Sequence, residues 1–405
     1  GSMGVMDAFE PLRRCAAIAR EFLVEAGADS LGAEISDCRA EEGFVIDSAY
    51  DQRMSYAQIL SERQIEHFIQ PEELLEAQLK MPKDYKIIGK SLPALDVPEK
   101  VNGSARYGID AYAPNMVYGK TSLAPTRLGS KIVSIDDSMA EDIPGYITTI
   151  QLSAMGFPGM GSTDVALVVA KSFPAAMRAE KVINVEWDTP LANLLDEQDL
   201  WDEAEELASS RQEAFDWLTV GDTQREMRRA KSVVEAEYRT SMLEHAALEP
   251  RSALVQPIDG TYHIYSGHQS GAFLIQFIAN TLGVAEDKVV YHPHQIGGSF
   301  GDKIYADQIV VAAKASKKLN LPVKVIMTRE DQFNLGHPKS ISLHRMKAGV
   351  AAKPSATLAD NILAVEHDVV AAPAGMRVRD GFAFDGPDDK QAQPVPGEGD
   401  LSMLT

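Results

Sequence analysis

Apolar residues first repeat at helical spacing at Leu12, Cys15, Ala16, Ala19, Phe22 and Leu23, behind an Asp7-x-x-Glu10 capping box. This predicts a helix that ends at Gly27. Residues 43–47 read as a strand and 56–62 as a short helix, and the polar, proline-punctuated stretch 63–95 reads as a long connection. Near Leu95 the texture changes to short β-rich runs at 101–111, 116–122, 131–135, 146–152 and 165–169, broken by Pro-Asn, Pro-Gly and Gly-x-Gly turns. A helix at 172–179 and a strand at 182–187 follow, then an acidic, solvent-facing helix over 194–211. A third texture begins near Lys231. It comprises strands at 233–238, 252–255 and 262–265, a helix from Gly271 to Leu282 stopped by Gly283, and a strand at 288–291. A glycine turn, a helix at 304–317 and strands at 323–327, 342–347 and 362–370 complete it. Residues 373–405 are rich in Pro, Gly and Asp and have no period, so the chain reads as ending in mid-domain.

The turn Gly297-Gly298-Ser299-Phe300-Gly301 carries the most chemistry. Glycines between a strand and a helix let the backbone approach a ligand closely. The N–H groups at the start of the following helix form an anion site, which points to a phosphate-bearing or dinucleotide cofactor.

Charge narrows the partners. The 405 residues carry a net charge of -20, which argues against nucleic acid and against an anionic membrane surface. No apolar stretch approaches the roughly 20 residues of a membrane span. Gly1-Ser2-Met3 resembles an expression-tag scar, so the natural start lies elsewhere. Cytoplasmic localisation is the reading favoured for the chain as given, with the periplasm an alternative for the parent protein. Two cysteines, Cys15 and Cys38, exclude a disulfide framework. They equally exclude an iron–sulfur cluster held by this chain alone, which takes about four thiolates. The order Gly-x-Gly-x-x-Gly is missing from the first strand–turn–helix, which argues against a nicotinamide-binding protein.

Four stretches, in order and with fitting spacing, resemble the molybdopterin-binding large subunit of the xanthine dehydrogenase/aldehyde oxidase family, nearest the isoquinoline 1-oxidoreductase β-subunit branch. They are Ser91 to Asp110, His245-Ala-Ala-Leu-Glu249-Pro250, Gly267-His268-Gln269-Ser270, and Gly297 to Gly301 followed by Leu321 to Asp331. The resemblance implies an α+β fold: an N-terminal segment of the molybdopterin-binding domain (1–88), an a/b hammerhead domain (89–210), and the first half of the molybdopterin-binding domain with an irregular tail (211–405).

It also implies a molybdenum hydroxylase acting on an N-heterocycle or an aldehyde, with water as oxygen source. The cofactor is molybdenum-molybdopterin in its cytosine dinucleotide form. Electrons pass to 2Fe-2S clusters on a small partner subunit. A further electron-transfer subunit, or the remainder of the large subunit, is the other partner. Gln269 matches the family glutamine beside the molybdenum oxo group. Gly297, Gly298, Ser299, Phe300 and Gly301 match the turn that packs against metal and pterin.

The departures are Ser299 for a third glycine, and His268 and Ser270 for Thr and Asn. The family's general base, a glutamate in a Gly-x-x-Glu context, is not found, and Glu398 is its only stand-in. No catalytic residue is therefore assigned, and the chain alone reads as inactive. The alternative is a catalytically silent subunit or fragment of such a complex. His292-x-His294 puts two imidazoles on one strand face, read as solvent-facing and not as a metal site. His245 reads as a packing histidine and Glu249 as a structural carboxylate.

Overall fold

The computed structural model describes residues 4–126, 129–155, 162–189, 196–210, 214, 216, 218–352 and 361–371. The expected tail and Glu398 lie outside them. The chain divides into two compact units, residues 1–101 and 102–405.

The first unit opens with α1 (Gly4–Leu31), followed by a meander of β1 (Cys38–Glu41), β2 (Phe44–Asp47) and β3 (Gln52–Ser55). Then come α2 (Tyr56–Glu62), α3 (Pro71–Glu76) and α4 (Val97–Asn102). Helix α2 is started by the Ser55–Gln58 capping box. Helix α1 begins three residues before Asp7 and runs through Gly27, contrary to expectation. Gly27 is a point of close approach: a Cβ there would lie 2.7 Å from Val45 Cβ. Gly27→Ala gains roughly 1 kcal/mol of helix propensity but overpacks the contact, at a cost of roughly 1–3 kcal/mol. The expected result is a lower thermal midpoint by circular dichroism, relieved in the double variant with Val45→Ala. A raised midpoint in the single variant would refute the close approach.

In the second unit β4 (Val117–Ser122), β5 (Lys131–Asp136), β6 (Tyr146–Met155) and β7 (Ser162–Ala170) precede α5 (Phe173–Glu180), β8 (Asn184–Asp188), α6 (Glu197–Ser210) and α7 (Thr223–Arg229). Next are β9 (Ser232–Thr240), β10 (Ser252–Ile258), β11 (Thr261–Ser266), α8 (Gly271–Leu282) and β12 (Val289–Pro293). The chain goes on through α9 (Asp307–Leu319), β13 (Val323–Ile326), α10 (Arg329–Leu335), β14 (Ser342–Val350) and β15 (Ile362–Ala371).

One mixed sheet dominates, in the order β12-β11-β10-β13-β4-β7-β6. Its centre is the parallel pair β13 and β4, with Val323 opposite Val117. Strands from 117–170 and from 252–326 thus share one sheet, although their textures differ in sequence. Gly119 makes the junction tight, since a Cβ there would meet Leu167 at 2.9 Å and Val325 at 3.1 Å. Helices α8 and α9 bury Leu274, Ile278, Ile309, Val310 and Ala313 against Val255, Ile264, Val165 and Leu167. The other face of β7 places Val168 against Ala140 and Ala179. Burial on both faces explains why this strand is apolar without a break from Val165 to Ala170.

Two smaller sheets, β15-β14-β9 and β5-β8, complete the unit. Helix α6 is not purely a solvent face: Leu200, Trp201 and Ala204 pack on Ile341 and Leu343. The expected β-rich run at 101–111 holds instead the end of α4 and a 3-10 turn at Gly108–Asp110. That segment runs close to β11, since a Cβ on Gly108 would lie 3.0 Å from the Gly267 nitrogen.

Candidate functional site

Strands β11 and β12 are parallel neighbours, so the loops that follow them emerge on the same side. The first loop is Gly267 to Ser270, ahead of α8; the second carries the glycine turn. A Cβ on Gly267 would fall 2.8 Å from the Ile296 Cα, so glycine lets the two backbones touch. Three hydrogen bonds then join them. The Gln269 N–H donates to the Lys303 carbonyl at 3.2 Å. The Ser299 hydroxyl donates to Gln269 Oε1 at 2.5 Å. The His268 Nε2 lies 2.9 Å from the Ile304 carbonyl oxygen, to which it donates. Gln269 and the turn, separate in sequence, therefore occupy one place.

The turn itself is left-handed at Gly297 (φ +61°), Gly298 (+92°), Phe300 (+55°) and Gly301 (+101°). A positive φ at phenylalanine stores strain, of order 1–2 kcal/mol, and Phe300 is 55% exposed. Ser299 is the one residue of the five with ordinary φ, so its side chain is accommodated without backbone cost. The N–H groups of residues 297–301 donate to none of the described residues. Successive free N–H groups in such a turn make a concavity suited to oxygen-rich or anionic groups. The expected helix start is displaced: a 3-10 turn (Asp302–Ile304) intervenes and α9 begins at Asp307. The anion-binding geometry belongs to the turn and not to the helix end.

Beneath the turn lies a charge network that motif reading missed. Arg251 is 1% exposed and grips Asp302 through two nitrogens, with a third hydrogen bond to Asp307 at 2.9 Å. Burial alone would depress its pKa, but the two aspartates more than offset that and hold it above its ordinary value. His337 Nε2 sits 2.9 Å from the same Asp307 carboxylate. Glu249 is structural, as expected: it pairs with Lys303 at 2.8 Å and accepts from the Ile109 N–H at 3.0 Å. Burial lowers the Lys303 pKa, opposed by Glu249. His245 packs with its Nδ1 4.0 Å from Asp302. An arginine opening an apolar run (Arg251 to Val255), and a charged pair directly after a glycine turn, were the available signals.

His292 and His294 are half-buried and not solvent-facing. His292 hydrogen-bonds His263 across the strands at 2.9 Å and stacks on Tyr265.

His268 supplies a pH test. Burial, opposed by its two backbone hydrogen bonds, pushes its pKa down from 6.5 to about 4. Below pH 6.5 the unfolded chain takes up a proton that the folded imidazole refuses until about pH 4. Stability is thus full above pH 6.5 and falls toward pH 4, by up to about 3 kcal/mol. His268→Gln is expected to flatten this acid limb in urea titrations at several pH values. An unchanged slope would show that His268 is not held neutral.

Residues 206–374 match the family model for the molybdopterin cofactor-binding domain. The chain is similar to a membrane-bound aldehyde dehydrogenase (pyrroloquinoline-quinone) of Gluconacetobacter polyoxogenes, at 32% identity over 96% of the chain and 49% of that protein. It is also similar to the isoquinoline 1-oxidoreductase β subunit of Brevundimonas diminuta, at 29% identity over 72% of the chain and 36% of that protein. The chain thus spans about half or less of the length of these relatives. Among solved structures, quinoline 2-oxidoreductase from Pseudomonas putida 86 superposes with a TM-score of 0.52 at 20% identity, covering 71% of this chain and 39% of that one. At that identity the likeness concerns the fold.

Proposed function

This chain belongs to the xanthine dehydrogenase family of molybdopterin-binding large subunits, and on that premise we propose that it forms part of a molybdenum-dependent oxidoreductase. Its substrates are N-heterocycles or aldehydes. The observation that carries this reading is the meeting of Gln269 with the donor-lined turn 297–301. The fit is chemical: five backbone N–H groups and one carboxamide suit a group rich in acceptor oxygens, and Gly298 and Gly301 leave room for it.

Gln269, Gly297, Gly298, Ser299, Phe300 and Gly301 would hold the cofactor. When bound, molybdenum–molybdopterin, here proposed in its cytosine dinucleotide form, supplies two-electron oxidation with oxygen drawn from water. The chain's own residues bind and orient: the turn N–H groups donate to oxygen, Gln269 donates from its amide, and Phe300 presents an apolar wall. Residues 89–210 are proposed as the hammerhead portion, with 1–88 the N-terminal segment and 211–405 the first half of the molybdopterin-binding domain.

With only Cys15 and Cys38, electron exit is assigned to 2Fe-2S clusters on a partner subunit. Because the relatives are at least about twice as long, cofactor capture and turnover are assigned to the chain together with further polypeptide. The purified chain is expected to hold little molybdenum and to be inactive. A longer version that includes the rest of the large subunit, with its partner, is expected to hold molybdenum stoichiometrically. Elemental and pterin analysis of both decides. Turnover by the short chain alone would overturn the division of labour, and a longer assembly free of molybdenum would overturn the cofactor.

A further inference from the structure

We infer that Ser299 and His268 are positioning residues that lock the Gln269 carboxamide with its N–H2 end facing the ligand side of the turn. Only the identity of that ligand rests on the reading above; the lock rests on hydrogen-bond geometry alone.

Ser299 is 8% exposed, and its hydroxyl has two neighbours. It accepts the Lys303 N–H at 2.8 Å and lies 2.5 Å from the Gln269 carboxamide. A hydroxyl has one hydrogen to give. The backbone N–H already occupies it as acceptor, so the carboxamide must turn its oxygen to receive that hydrogen. Flipping the amide would aim N–H at the hydroxyl and leave the hydroxyl hydrogen buried without an acceptor, a costly arrangement. Both hydrogens of Gln269 Nε2 are therefore directed elsewhere, and they donate to none of the described residues.

His268 fixes the loop from the other side. Its Nε2 lies 2.9 Å from the Ile304 carbonyl oxygen, and its Nδ1 reaches the Ser270 main chain, 2.9 Å from the carbonyl oxygen and 3.1 Å from the nitrogen. The ring is thereby tied to the main chain at both nitrogens. The neighbouring Gln269 N–H to Lys303 bond closes the third point. A glycine at 299 and a threonine at 268 could supply neither the hydroxyl nor the reach of the imidazole. The two departures from the expected motif thus act together. Their consequence is selectivity: the site offers donors, and not a carbonyl oxygen, to whatever faces Gln269, and so favours an oxygen acceptor.

The test is nuclear magnetic resonance on the chain as it stands, with 15N-labelled glutamine and histidine. The Gln269 side-chain amide, identified by its loss in Gln269→Leu, is expected to shift in Ser299→Ala and to return in Ser299→Thr, which keeps a hydroxyl. His268→Thr is expected to shift the same Gln269 signal. Circular dichroism checks that each variant is folded. A Gln269 amide unmoved in folded Ser299→Ala, or in folded His268→Thr, would overturn the lock whatever binds there. A Ser299-dependent Gln269 signal in an assembly that never acquires molybdenum would uphold the lock and count against the cofactor reading alone.

Discussion

Arg251→Met is expected to unfold the second unit, or to destabilise it by about 3–5 kcal/mol, the range for stranding buried charges. The guanidinium is buried and holds Asp302 and Asp307 together. Methionine fills much of the volume but leaves two carboxylates facing each other in a medium that solvates charge poorly. Urea titration followed by tryptophan fluorescence suits the measurement, because all three tryptophans lie between residues 187 and 217, within the second unit. The triple variant with Asp302→Asn and Asp307→Asn is expected to recover much of the loss, since neutral partners need no cation. A single variant within about 1 kcal/mol of the parent would show that the network is dispensable.

The second large effect is expected at Gly297. Any side chain there pays for a left-handed backbone, about 1–2 kcal/mol, and also strikes the Glu249 side chain. Glu249 cannot withdraw, because Lys303 holds one carboxylate oxygen and the Ile109 N–H the other. Gly297→Ala is therefore expected to cost about 3–5 kcal/mol, as the strain adds to a broken buried pair. Gly298→Ala serves as the control. Its φ is also positive and no more favourable to a side chain, but the nearest atom to its Cβ would be Ala247 Cβ at an ordinary 3.6 Å. Only the conformational strain should appear there. Equal losses at the two glycines would show that the Glu249 contact is not what fixes Gly297.

Sequence legibility followed the range of the interactions. Helix α8 matches its expected span because its signals are local: buried Leu274, Phe277, Ile278 and Leu282 on one side, and Gly283 in the left-handed cap. Gln269 and the turn were findable for the same reason, since each is a short motif beside a strand end. Arg251, Asp302 and Asp307 were not, because ionic partners about 50 residues apart leave no periodic trace. Gly27 was misread because glycine marks both helix ends and close contacts, and only the position of Val45 distinguishes them. The 101–111 stretch mimicked a strand through alternating Val101, Tyr107 and Ile109. Its main chain instead finds scattered partners: the Arg106 carbonyl receives the Gln295 N–H, and the Ile109 and Ala111 carbonyls receive the Lys324 ammonium.

The parallel pairing of β13 with β4 has a consequence for how the chain acquires its shape. Strand β4 can form a local sheet with β7 and β6 soon after synthesis, but its other edge has no partner until β13 emerges, about 200 residues later. At ribosomal speeds of about 5–20 residues per second, that edge stands open for roughly 10–40 s. Closing so long a loop is slow, and an exposed strand edge invites pairing with other chains. Lys120, on β4, meets Asp331 just beyond β13 in a buried pair at 2.8 Å, so the ionic contact and the strand pairing must form in the same late step. Yield of soluble protein should therefore depend more on translation rate and chaperone supply than on the stability of the finished fold.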